Sequence, residues 1–241
     1  MPITGDSCIA EYLQTHQYHP RSDAHGNELA RLIVKDLMEN CKVFREAALS
    51  KRIVFELNYT IGNGFDSWNM DLVVGPPENL NKIEKTDLNI FRGIPKEIWL
   101  AIDAKSIMTE HKKARRNRQR DLNSLQDLLH RKNSNTIVAG IVVVNMSKKF
   151  KSPLRNGEIT LHPNVENTIT ETIEMLKQNL KQGNNENGLE ALGVIVVDHT
   201  NLVDDQTKLI ATPPAPSSSD RIFYKNFITE LCTLFSDRHG Q

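Results

Sequence analysis

The sequence predicts an α/β fold, a central β-sheet flanked by helices. Three stretches carry that reading. Thr136 to Val144 is almost wholly apolar and β-branched and has no charge, as a strand buried on both faces requires. Pro163 to Gln182 spaces Val165, Ile169, Ile173, Leu176 and Leu180 at helical intervals. Leu192 to Val197 is a further uncharged run, so strand, helix and strand follow as a crossover unit that extends a sheet.

The 241 residues suffice for one large domain or two small ones with a sizeable core. Thirty basic residues balance thirty acidic ones, so any contact with nucleic acid must come from a local patch and not from a global field. Cys8, Cys41 and Cys232 are odd in number and lack a Cys-x-x-Cys pattern, which predicts reduced thiols and a cytoplasmic protein. The N-terminal residues do not read as a signal peptide. The longest apolar run, Ile137 to Val144, is far too short to span a membrane.

In chain order, His16, His19 and His25 fall in a segment read as an exposed loop, since they lack the cysteine or helical pairing of a zinc site. Ser22 or Asp23 can cap a helix from about Gly26 to Asn40, with Leu29, Leu32, Ile33 and Leu37 as its buried stripe. Glu28 borders that stripe and can pair along the helix with Arg31 or Lys35. Arg52 to Ile61 reads as a strand, and Gly62-Asn63-Gly64 as a tight turn into a second strand, Asn69 to Val74, closed by Gly75-Pro76-Pro77. Residues 78 to 96 form a long polar excursion, either a reach toward a ligand or a surface insertion.

Ile98 to Ile102 is a short buried strand that delivers Asp103 and Lys105 at its end. Strand side chains alternate with period two, so both charges leave the same side. A helix from about Thr109 to His130 follows. Lys112, Lys113, Arg115, Arg116, Arg118 and Arg120 place six positive charges in nine residues, opposite a stripe of Ala114, Leu122, Leu125 and Leu129. Such a run suits phosphate contact better than a merely solvated face, given the balanced charge of the whole chain. Residues 212 to 219, rich in Pro and Ser, lead to a C-terminal amphipathic helix over 220 to 236. Its apolar side, with Ile222, Phe223, Phe227, Ile228, Leu231 and Leu234, is either core or a dimer contact. No repeat and no Gly-rich phosphate loop is present.

Asp71 near one strand, then Asp103-Ala104-Lys105 at the end of the next, resembles the PD-(D/E)XK nuclease superfamily, the fold of most restriction endonucleases. The segment Ile107 to Arg115, with Met108-Thr109, His111 and Lys113-Ala114-Arg115, is similar to a stretch of restriction-endonuclease-like proteins. The chain departs from the pattern in two ways: Met70 stands where the family has Pro, and 31 residues separate Asp71 from Asp103. The resemblance covers roughly residues 53 to 145. It implies an αβββαβ core with a mixed sheet, a single domain over 1–241 with its core at 26–200, and Mg²⁺ held by Asp71 and Asp103 with the Ala104 carbonyl. Lys105 would serve the attacking water, and Glu28 would be a further metal contact. RecB-like exonucleases carry Gln-x-x-x-Tyr on the following helix, whereas Gln119 is followed here by Asn123. That favours a sequence-specific, homodimeric type II enzyme cutting double-stranded DNA, with a cognate DNA methyltransferase as genetic partner. The alternatives are a repair or RNA-directed nuclease of the same fold, and a nucleic-acid-binding module without catalysis.

Overall fold

A computed structural model describes residues 2–62, 67–181 and 188–240. Asn63 and Gly64 of the expected turn, and Gln182 at the end of the helix expected from Pro163, lie outside the described residues. The elements run α1 (Gly5–Thr15), α2 (Ala24–Asn40), α3 (Lys42–Leu49), β1 (Val54–Ile61), β2 (Trp68–Gly75), β3 (Glu84–Lys85), β4 (Phe91–Arg92), β5 (Leu100–Ile107), α4 (His111–His130), β6 (Ile137–Asn145), β7 (Lys149–Lys151), β8 (Ile159–Leu161), α5 (Val165–Lys177), β9 (Ala191–Asp198), β10 (Lys208–Leu209) and α6 (Tyr224–His239).

Eight strands form one mixed sheet in the order β10-β9-β6-β5-β2-β1-β4-β3. β2 is antiparallel to both of its neighbours, β1 and β5, whereas β5, β6 and β9 run parallel through the crossover helices α4 and α5. The order helix, three strands, helix, strand is thus present in α2, β1, β2, β5, α4 and β6, with the small edge strands β3 and β4 inserted. Every residue of β6 is buried, as a central strand covered on both faces must be. Leu29, Ile33 and Leu37 of α2 join Phe227, Leu231 and Phe235 of α6 in the core on one face, together with α1 and α3. On the other face Leu122, Leu125 and Leu129 of α4 meet Ile169, Ile173 and Leu176 of α5. The apolar side of α6 is therefore core and is not left free for a partner.

The polar excursion at 78–96 folds back along the sheet edge. β4 pairs parallel with β1, and Arg31 of α2 forms an ion pair with Asp87, so Arg31 is taken from Glu28. α1 and α3 go beyond the sequence expectation. The spacing of Ile9 and Leu13 was the available signal for α1, whose first N–H groups are capped by the buried Asp36 of α2: Gly5 N donates to Asp36 Oδ2 at 2.9 Å. Tyr224 of α6 donates its hydroxyl to the same oxygen at 2.9 Å, which ties both ends of the chain to α2.

The reading of three reduced thiols is corrected for two of them. Cys41, between α2 and α3, is bonded to Cys232 of α6 across 191 residues of sequence, and Cys8 is the free cysteine. No sequence spacing reports a contact made by packing α6 beneath α3. Because disulfides belong to oxidising surroundings, the cysteines do not support a cytoplasmic placement. Among the described residues no helix is long and apolar enough to cross a membrane.

Candidate active site

The site is built where the sheet forks. β2 and β5 pair as far as Leu72 and Ile102, and the same register places Asp71 opposite Asp103 one step further on. There the strands part: β2 continues beside β1 to Trp68, and β5 continues beside β6 to Ile107. At the fork Ala104 donates its N–H to Asp71 Oδ2 at 2.7 Å. Lys105 leaves the strand on the Asp103 side, as alternation predicts, and its Nζ donates to Asp103 Oδ1 at 2.5 Å. The Asp103 side chain is 0% exposed and that of Lys105 19%. Asp103 Oδ2 is buried without a hydrogen-bond partner among the described residues.

Two acids facing each other across a strand pair repel, and a buried carboxylate oxygen without a donor is costly. The Asp103 carboxyl registers both effects. Burial pushes its pKa up to about 7, the Lys105 ammonium opposes the rise, and the neighbouring Asp71 carboxylate adds to it. An acid so placed is neutralised either by a proton or by a cation.

The first turn of α2 closes over Asp71. Gly26 is the contact point, since a Cβ there would lie 2.8 Å from Asp71 Oδ1. A glycine inside a helix costs roughly 1 kcal/mol against alanine, and here it gives Asp71 its room. Asn27, the next residue, accepts from Asn58 Nδ2 of β1 at 2.8 Å. Asn58 lies opposite Asp71 in the β1–β2 register, between the paired couples Leu57–Leu72 and Tyr59–Met70, and has φ +50.

His25 corrects the reading of an exposed histidine loop. His16 and His19 are exposed, but His25 is buried in α2, with its Nδ1 3.1 Å from the Ser106 hydroxyl. Burial, with the nearby His199, brings its pKa down to about 4, so it is neutral at physiological pH.

Glu28 is half-buried, and its charge acts on Tyr12 of α1. The charges acting on Asp103 are those of Lys105 and Asp71. Among the described residues no group of three or more His, Cys, Asp and Glu comes together as a metal site. What the fork offers a metal is therefore a pair of carboxylates, and Mg²⁺ is commonly held by one or two.

The basic run of α4 divides into two faces. Lys112, Lys113, Arg116 and Arg120 are exposed and make no ion pair among the described residues. Arg115 turns toward α5, where it pairs with Glu171 at 2.9 Å and is only 11% exposed. Arg118 pairs with Asp121 at 3.1 Å. α4 begins shortly after β5 ends, so its basic N-terminal half sits at the same end of the sheet as Lys105. Beside it, Lys112, Lys113, His162 and Asn164 line a concavity of about 640 Å³.

Gly26, Asn58 and His25 are the site neighbours that sequence reasoning missed. An Asn in the middle of a strand was the one available signal. Compared with known proteins, the chain matches no family model, no curated protein and no solved structure.

Proposed function

We propose that the chain is a Mg²⁺-dependent endonuclease of restriction-endonuclease-like fold that hydrolyses phosphodiester bonds of double-stranded DNA. The observation that carries this reading is the fork itself. Asp71 and Asp103 face each other, the buried Asp103 Oδ2 has no partner among the described residues, and Lys105 is held against Asp103 Oδ1. A binding module has no use for a buried, unpartnered carboxylate oxygen, whereas a hard cation takes up such an oxygen.

Asp71 and Asp103 would hold the ion, with the Ala104 carbonyl as a further oxygen. Bound there, Mg²⁺ supplies Lewis-acid stabilisation of the phosphate and eases deprotonation of the attacking water. Lys105 then has three tasks. Its ammonium keeps Asp103 oriented, and it offsets negative charge that grows on the phosphate while orienting the incoming water. The exposed arc of Lys112, Lys113, Arg116 and Arg120 would contact the DNA backbone, which positions the duplex without reading sequence. Cutting both strands calls for two sites, hence a homodimer. A restriction enzyme of this kind works beside a DNA methyltransferase that protects the host sequence.

The test is incubation of long duplex DNA with Mg²⁺ and either the native protein or the Asp71→Asn and Asp103→Asn variants. Discrete fragments from the native protein alone are expected. End-trimming or a smear points to a repair nuclease instead, and cutting by either variant at the native rate removes the carboxylates from the chemistry.

A further inference from the structure

We infer that Asn58 supplies a third side-chain oxygen to the cation site at the fork, in place of the helix acid Glu28. The inference rests on the reading of Asp71 and Asp103 as cation ligands. Three independent observations converge on Asn58.

The first is its backbone. Asn58 sits in the middle of β1 with φ +50, in the left-handed region that non-glycine residues seldom adopt. The β1–β2 ladder is regular on both sides, so the kink is confined to the residue opposite Asp71. Local strain of this kind persists only where surrounding structure enforces it. Asn is among the residues that tolerate the left-handed conformation best.

The second is its amide. Nδ2 is fixed by donation to Asn27 Oδ1, which leaves Oδ1 as the free end of the side chain. That oxygen is buried and has no hydrogen-bond partner among the described residues. Asp103 Oδ2 is in the same condition, so two orphaned oxygens border Asp71 across its two neighbouring strands.

The third is location. Asn27, which anchors the amide, follows Gly26, the residue in contact with Asp71 Oδ1. The first turn of α2 thus positions Asp71 and Asn58 together. An amide carbonyl is a hard, neutral oxygen of the kind that joins carboxylates around Mg²⁺, Ca²⁺ and Mn²⁺. The charge of Glu28 acts on Tyr12 of α1 and is not among those acting on Asp103.

The experiment is Mn²⁺ titration of the full chain without DNA, followed by electron paramagnetic resonance of the free ion, with a circular dichroism melt of each variant. Asn58→Gly keeps the left-handed backbone and deletes the amide, and Asn58→Asp exchanges the amide for a carboxylate of the same shape. Affinity should fall ten- to a hundredfold in Asn58→Gly, the order seen when a group that orders a metal site is removed. It should rise in Asn58→Asp, and Asp103→Asn should bind no Mn²⁺. Native affinity in a folded Asn58→Gly protein, with Asp103→Asn inactive in binding, overturns the role of Asn58 alone. If Asn58→Gly does not fold, unchanged or weaker binding by Asn58→Asp overturns it. Absence of Mn²⁺ binding by the native protein overturns both this inference and the reading of the site.

Discussion

Asp103→Asn should make the metal-free protein more stable, and increasingly so as pH rises from about 4 to about 7. In the folded chain the Asp103 carboxyl keeps its proton up to about pH 7, whereas an ordinary aspartate loses it near 3.8. Between those values the folded state binds more protons than the unfolded one, so stability falls as pH rises through the window and stays low above it. A rise from 3.8 to about 7 corresponds to roughly 4 kcal/mol, at about 1.4 kcal/mol for each tenfold change in proton affinity. Asn is neutral, matches the protonated acid in shape, and still accepts from Lys105. The variant should therefore gain on the order of 2–4 kcal/mol at pH 8, about half as much or less at pH 5, and almost nothing below about pH 4. For a chain of this length that is a rise in Tm on the order of 5–12 °C. The assay is thermal unfolding with a chelator at pH 5 and pH 8, repeated at pH 8 with Mg²⁺, which should stabilise the native protein and not the variant. An equal Tm difference at pH 5 and pH 8, or a less stable variant at pH 8, refutes the account of Asp103 as a carboxylate held for a cation.

Two further outcomes follow from the same geometry. In Gly26→Ala the new methyl meets Asp71 Oδ1, so cleavage should fall at least tenfold, while the gain of up to about 1 kcal/mol in helix propensity keeps Tm nearly unchanged. A parallel loss of stability and activity would make Gly26 merely structural. Replacing Lys112, Lys113, Arg116 and Arg120 with Ala should weaken DNA binding and lower the log–log salt slope by roughly 0.9 for each phosphate that is no longer neutralised. An unchanged slope in a filter-binding series from low to moderate salt would leave the arc as a solvated face.

Much of this arrangement was legible in the sequence, and the remainder was not for identifiable reasons. The uncharged β-branched run at β6 and the helical stripes of α4 and α5 specify the parallel half of the sheet, because burial on both faces leaves little room for another pattern. Asp103 and Lys105 were readable because period-two alternation is local. Asp71 could be singled out only by resemblance, and its position opposite Asp103 is a consequence of register, which no local pattern contains. The six cations of α4 read as one surface, yet Arg115 is drawn inward by Glu171, a residue 56 positions away. The Cys41–Cys232 bond and the capping of α1 by Asp36 likewise depend on long-range packing. Asn58 is the hardest case. Its identity in a strand is only mildly unfavourable, and its left-handed backbone becomes visible only once β1 is laid beside β2.

Whether the fork carries out hydrolysis, as proposed, is tested most directly at Lys105. Lys105→Met removes the ammonium but keeps an unbranched side chain of similar length against Asp103. Single-turnover cleavage of duplex DNA, measured beside a melting curve, separates chemistry from folding. The protein should remain folded and bind DNA, yet cut more slowly by on the order of a hundred- to ten-thousandfold, the usual loss for a group that serves the attacking water. A folded Lys105→Met protein that cuts within about threefold of the native rate would contradict the assignment, since so small a change is well short of a catalytic loss.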